Sequence, residues 1–85
     1  MLKVINEQTN TFYGKNYSTT RIVRLFNNDG LYRVRVDQTD SYDGKGILKS
    51  HNLIKCNSLQ EAQEKANYII MTEKYKIWEQ FAQIF

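Results

Sequence analysis

"RLFNNDGLYRVRVD", Arg24 to Asp37, decides how this chain folds. Two runs rich in β-branched, aromatic and aliphatic residues flank Asn27-Asn28-Asp29-Gly30. Asn, Asp and Gly tolerate the positive φ of a tight hairpin, so the stretch predicts two antiparallel strands joined by a short turn. The second strand alternates: Tyr32, Val34 and Val36 share one face, and Leu31, Arg33, Arg35 and Asp37 the other.

Working outward, Tyr17 to Phe26 has strand composition, and Gly46 to Cys56 reads as a third long strand. Upstream, Leu2 to Ile5 predicts a short strand and Asn6 to Asn10 a polar turn. Thr11 to Tyr13 then pairs back before the turn at Gly14-Lys15-Asn16. "DQTDSYDGKG" reads as a polar loop. After Cys56 the period changes. Ser58 and Glu61 have capping-box spacing, and Leu59, Ala62, Ala66 and Ile69/Ile70 form one helical stripe. Neither Gly nor Pro occurs between Leu59 and the C-terminus, so the helix is expected to run through most of Leu59 to Ile84. The fold class expected is α+β: a small antiparallel sheet of three to four strands, with one long C-terminal helix packed on one face. The 85 residues form a single domain, 1–85.

Parity has a consequence for charge. With Tyr32, Val34 and Val36 turned to the helix, Val23, Leu25, Leu48 and Ile54 turn the same way. Arg24, Arg33, Arg35, Lys49, His51 and Lys55 then gather on the open face, with Ile22, Phe26, Leu31, Ile47 and Leu53. Most acids fall in the Asp37 to Asp43 stretch and on the helix, so this face is expected to stay basic. The bland reading is that Arg and Lys stems cover apolar surface while their heads reach water. The functional reading is a binding face centred on Arg24, Phe26, Arg33, Arg35, Lys49, His51 and Lys55. A net charge of +3 permits phosphate or acidic partners without being polybasic.

The helix offers a second candidate surface. Met71, Tyr75, Trp78, Ala82 and Phe85 recur at helical spacing. A helix of ~26 residues reaches ~39 Å, whereas strands of ~8 residues cover ~26 Å. The last turns should overhang the sheet unless the chain bends near Thr72. Either the N-terminal Leu2 to Phe12 segment covers this stripe as ordinary core, or Met71, Tyr75, Trp78 and Phe85 form a docking or homodimer seam.

Chemical motifs are weak. Asp37, Asp40 and Asp43 lie three apart, which is not the alternation of an EF-hand. His51 and Cys56 are each unique and fall on opposite faces of a strand, so neither a zinc site nor a Cys-His nucleophile is expected. One His leaves little room for a triad. No catalytic residue, cofactor or metal is predicted. A lone cysteine excludes an intrachain disulfide and suits a reducing cytoplasm. "MLKVINEQTN" lacks the apolar core of a signal peptide, and no apolar run approaches the ~18 residues of a membrane span.

These features point to a non-enzymatic interaction protein with a protein partner. The abundance of Asn, Lys, Ile, Tyr and Phe, with scarce Ala and no Pro, is the usage of AT-rich genomes. That usage points to an AT-rich bacterium, phage or mobile element. Joined to the small lone domain, the Arg-aromatic face, the aromatic helix end and the absent catalytic set, it leads to the expectation of a phage or mobile-element inhibitor of host nucleic-acid-handling or defence machinery, anti-CRISPR-like or anti-restriction-like. Two alternatives stand beside it: a DNA-binding domain using a basic three-stranded sheet face, and a small homodimeric structural protein. The mixed apolar character of the face favours a protein over phosphate.

Overall fold

The computed structural model describes residues 2–43 and 46–75. Four strands, β1 (Leu2–Tyr13), β2 (Tyr17–Asn28), β3 (Leu31–Tyr42) and β4 (Gly46–Cys56), form one antiparallel sheet in chain order. A single helix, α1 (Leu59–Met71), packs on one side of it. This is the small α+β architecture that the hairpin and the change of period predict.

The decisive turn forms as the residues dictate. Asn28 pairs with Leu31, leaving Asp29 and Gly30 as a two-residue turn with φ of 54° and 86°. The Asn27 side chain accepts from the Gly30 N–H at 2.9 Å. The first hairpin is packed differently: a Cβ on Gly14 would lie 1.9 Å from the Tyr17 ring, so a larger residue there would displace that ring.

Strand parity also follows the sequence. Val23, Leu25, Val34 and Val36 are buried against Ala62, Ala66, Ile69 and Ile70 of α1, with Cys56 beside them. Two alanines on the buried stripe bring the helix backbone close to the sheet. Ser58 Oγ accepts from the Glu61 N–H at 3.1 Å. The Glu61 carboxylate reaches back one residue beyond the cap, to the Asn57 N–H at 2.6 Å.

Three expectations are corrected, and all concern polar residues. Asn6 to Asn10 is strand, not turn: β1 is continuous, with a register shift between Val4 and Asn6. On the helix side Gln8 donates to Asn67 Oδ1 at 3.3 Å and Asn10 to the Ile70 carbonyl at 3.0 Å. The loop expected after Asp37 begins only after Tyr42, because β3 carries on through buried Gln38 and Asp40. Thr19 donates to Asp40 Oδ1 at 2.6 Å, and Arg21 Nε to Gln38 Oε1 at 2.9 Å, so partners on β2 replace water.

The third correction is the helix, which ends at Met71. Thr72 is extended (φ −101°, ψ 104°) and its hydroxyl donates to the Tyr68 carbonyl at 2.6 Å. Arg21 supplies the rest of the cap. Its Nη1 donates to Ile69 O at 2.7 Å and also to Thr72 O, and its Nη2 to Glu73 O at 3.0 Å. The guanidinium lies 5.3 Å from the Phe12 ring centroid and 6.0 Å from that of Tyr75. With Asn10 on Ile70 O, the carbonyls of Tyr68, Ile69 and Ile70 all have side-chain donors.

Lengths therefore invert the expected overhang. Thirteen helical residues reach about 20 Å, against about 40 Å for a 12-residue strand, so α1 spans roughly half the length of its face. Leu48 turns to the helix side, as its parity requires, yet stays 58% exposed because α1 lies mainly over β2 and β3.

Three substitutions test this arrangement. Val34→Ala should cost about 1–3 kcal/mol and Arg35→Ala much less, because Val34 is fully buried and Arg35 exposed; urea midpoints read the difference. Arg21→Met keeps the stem but removes the donors to Gln38 and to three carbonyls. It should cost more than Val34→Ala, about 3 kcal/mol, since each unsatisfied buried acceptor costs ~1–3 kcal/mol. A midpoint within ~0.5 kcal/mol of wild type would contradict the capping role.

Candidate functional site: the open face of the sheet

The face turned away from α1 is built from rows of residues paired across the strands. One row holds Val4, Phe26, Arg33 and Lys55; the next Glu7, Arg24, Arg35 and Leu53; the next Thr9, Ile22, Asp37 and His51. Lys49 lies one row further, beside Thr39. The structure thus brings Arg24, Phe26, Arg33, Arg35, Lys49, His51 and Lys55 together on one surface.

The expectation that acids lie elsewhere is corrected. Arg24 and Arg35 sit directly opposite each other, a repulsive placement by itself. Asp37, in the neighbouring row, accepts from Arg24 at 3.1 Å and from Arg35 at 2.9 Å. Glu7 accepts from Arg24 at 2.6 Å. Two arginines and two carboxylates therefore form a chain running from β1 through β2 to β3. The hydrogen bonds from Arg35 to Asp37 hold the Arg35 pKa above its ordinary value. Asp37 was already on this face by alternation; Glu7 was hidden by reading its segment as a turn.

Neutralisation is incomplete. Arg33 and Lys55 are paired residues on adjacent strands, and among the described residues neither has a carboxylate within ion-pair distance. Arg33 donates to its neighbour's carbonyl, Tyr32 O, at 3.1 Å. Exposed Leu31 and Leu53 and half-buried Phe26 lie around this pair. Between Arg24, Arg35, Lys49 and His51 the face dips into an open depression of about 400 Å³.

Of the expected helix-end surface, Met71 and Tyr75 do not share a helical stripe. Met71 is the last helical residue and is 74% exposed. Tyr75 lies past the helix end, half-buried against the core, with its ring edge-on to Tyr68 at 6.3 Å. Trp78 and Phe85 lie outside the described residues.

Other chemistry stays sparse. Asp37 and Asp40 fall on opposite faces of β3, and no group of three metal-ligating side chains occurs among the described residues. Cys56 is buried, which raises its thiol pKa. No described helix is long and apolar enough to cross a membrane. Comparison with protein-family models, with curated proteins and with solved structures gave no match.

Asp37→Asn probes the chain of charges. Stability should change by only about 0–1 kcal/mol, since the bridges are solvent-accessible. Arg24 and Arg35 would lose a competing carboxylate, so the variant should elute from a heparin column at higher salt than wild type.

Proposed function

We propose that this is a non-enzymatic interaction protein that acts by occupying a partner's surface with the open face of its sheet. The observation that carries the reading is the Arg33–Lys55 pair, uncompensated among the described residues and set among Phe26, Leu31 and Leu53. Cations interleaved with apolar side chains suit a protein surface that is acidic and apolar together. The size is adequate: four 11- to 12-residue strands present on the order of 750 Å², near the ~800 Å² per partner of a standard interface. Composition of the AT-rich type supports a phage or mobile-element origin, and with it a partner among host nucleic-acid-handling or defence proteins.

Binding of DNA by the same face is the second reading, favoured by Arg33, Lys55 and Lys49. Against it, phosphate must compete with Asp37 and Glu7 for two of the three arginines. The double variant Arg33→Ala/Lys55→Ala separates the two. Duplex affinity of the wild type, read by fluorescence anisotropy, is expected to be weak at physiological salt. Nuclease-treated capture from host lysate should retain a protein that the double variant loses through faster dissociation. Submicromolar duplex binding at that salt, with a salt slope reduced by about two units in the variant, would replace the protein-partner reading with the DNA one.

A further inference from the structure

The half of the helix-side face that α1 leaves uncovered is not featureless. A hollow of about 400 Å³ lies beyond the helix end, bordered by Tyr17, Tyr42 and Tyr75, with Asp40 and Gln38 among its walls. Tyr17 and Tyr42 are paired residues on β2 and β3, their ring centroids 6.2 Å apart and tilted by 33°. Tyr75 is set by its packing on the core and by Arg21.

Asp40 is the unusual member. It is only 9% exposed, and its hydrogen bonds come from neutral donors: Thr19 Oγ1 at 2.6 Å and Gln38 Nε2 at 3.2–3.3 Å. Among the described residues no cation lies within ion-pair distance of it. Arg21 is the cation behind it, but the guanidinium hydrogens go to Gln38 and to backbone carbonyls. A carboxylate this buried ordinarily has a charged partner, and here Arg21 acts on it through space without a direct hydrogen bond. Oδ2 accepts one hydrogen bond and has a lone pair to spare. At the rim, Tyr17 donates to Glu73 Oε2 at 3.3 Å, and this carboxylate is the main cause of the raised Tyr17 pKa. Lys74, exposed, is the opposing charge at the same rim.

We propose that this hollow binds an organic ammonium group, held by the faces of Tyr17, Tyr42 and Tyr75 and by the Asp40 and Glu73 carboxylates. Aromatic rings attract a cation through their negative faces, and a weakly hydrated alkylammonium loses little on leaving water. The site lies on the opposite side of the sheet from Arg33 and Lys55, so it stands or falls independently of the partner-binding face.

The full-length chain is titrated with choline and, separately, with its neutral carbon isostere 3,3-dimethyl-1-butanol, following the tyrosine ring signals by NMR. Choline should shift Tyr17, Tyr42 and Tyr75 and bind roughly tenfold tighter than the isostere. A short uncharged peptide carrying trimethyllysine forms the second arm. Tighter binding of the peptide assigns the site to a protein side chain, and tighter binding of choline to a small metabolite. Tyr42→Ala and Asp40→Asn should each weaken binding roughly tenfold. Lys74→Gln, at an exposed position that leaves the fold intact, should strengthen it roughly two- to threefold by removing a like charge. Equal binding of choline and isostere, absence of tyrosine shifts with both ammonium probes, or unchanged affinity in Lys74→Gln would overturn the proposal.

Discussion

One guanidinium holds the two layers of this protein together. Arg21 is 0% exposed, and its donors close the C-terminal end of α1 while its Nε holds Gln38 on the next strand. A cation at this end of a helix meets the negative pole of the macrodipole as well as orphan carbonyls. Burial lowers the Arg21 pKa, with Asp40, Tyr75 and Glu73 acting in the opposite sense. The charge is met by backbone carbonyls, by Gln38 and by the Phe12 and Tyr75 rings. Without it the Thr72 and Glu73 carbonyls lose their side-chain donor, and the link from Gln38 to the end of the helix is broken.

That arrangement divides the helix-side face into two regimes. Toward the β2–β3 turn the sheet is apolar, and two alanines let the helix settle on Val23, Leu25, Val34 and Val36. Toward the opposite end the strands outrun the helix, and Thr19, Arg21, Gln38 and Asp40 form a connected polar layer. No buried side-chain nitrogen or oxygen lacks a partner among the described residues. A polar layer so fully bonded specifies register strongly, because sliding β2 by one residue against β3 would break the Thr19–Asp40 and Arg21–Gln38 bonds together.

The open face obeys a different logic. Its charges are arranged along rows, so a carboxylate in one row can serve arginines in another. Asp37 turns the repulsive Arg24–Arg35 contact into part of a chain. What is left over is Arg33 against Lys55, bordered by apolar side chains, and Lys49 further along the face. Two of its arginines are thus met by carboxylates of the same sheet, while Arg33, Lys49 and Lys55 have no carboxylate within ion-pair distance among the described residues.

How far this was legible in the sequence depends on the range of the forces involved. Alternation along Leu31 to Asp37, the Asn27 to Gly30 turn and the Ser58–Glu61 cap are set by neighbours within a few residues. They determined the strand parity, the first helical turns and the grouping of seven side chains on one face. Tertiary structure alone decided the rest. Asn6 to Asn10 and Gln38 to Tyr42 look like loops because polar residues usually stay in water, yet here they are strands bonded to partners on other elements. The end of α1 is written in Arg21 and Asn10, 48 and 60 residues away in the chain. Glu7 neutralises Arg24 only once β1 is known to be continuous. A polar side chain carries no local mark of whether its partner will be water or a distant residue; the folded chain makes that choice, since only there is the desolvation cost met by a specific bond.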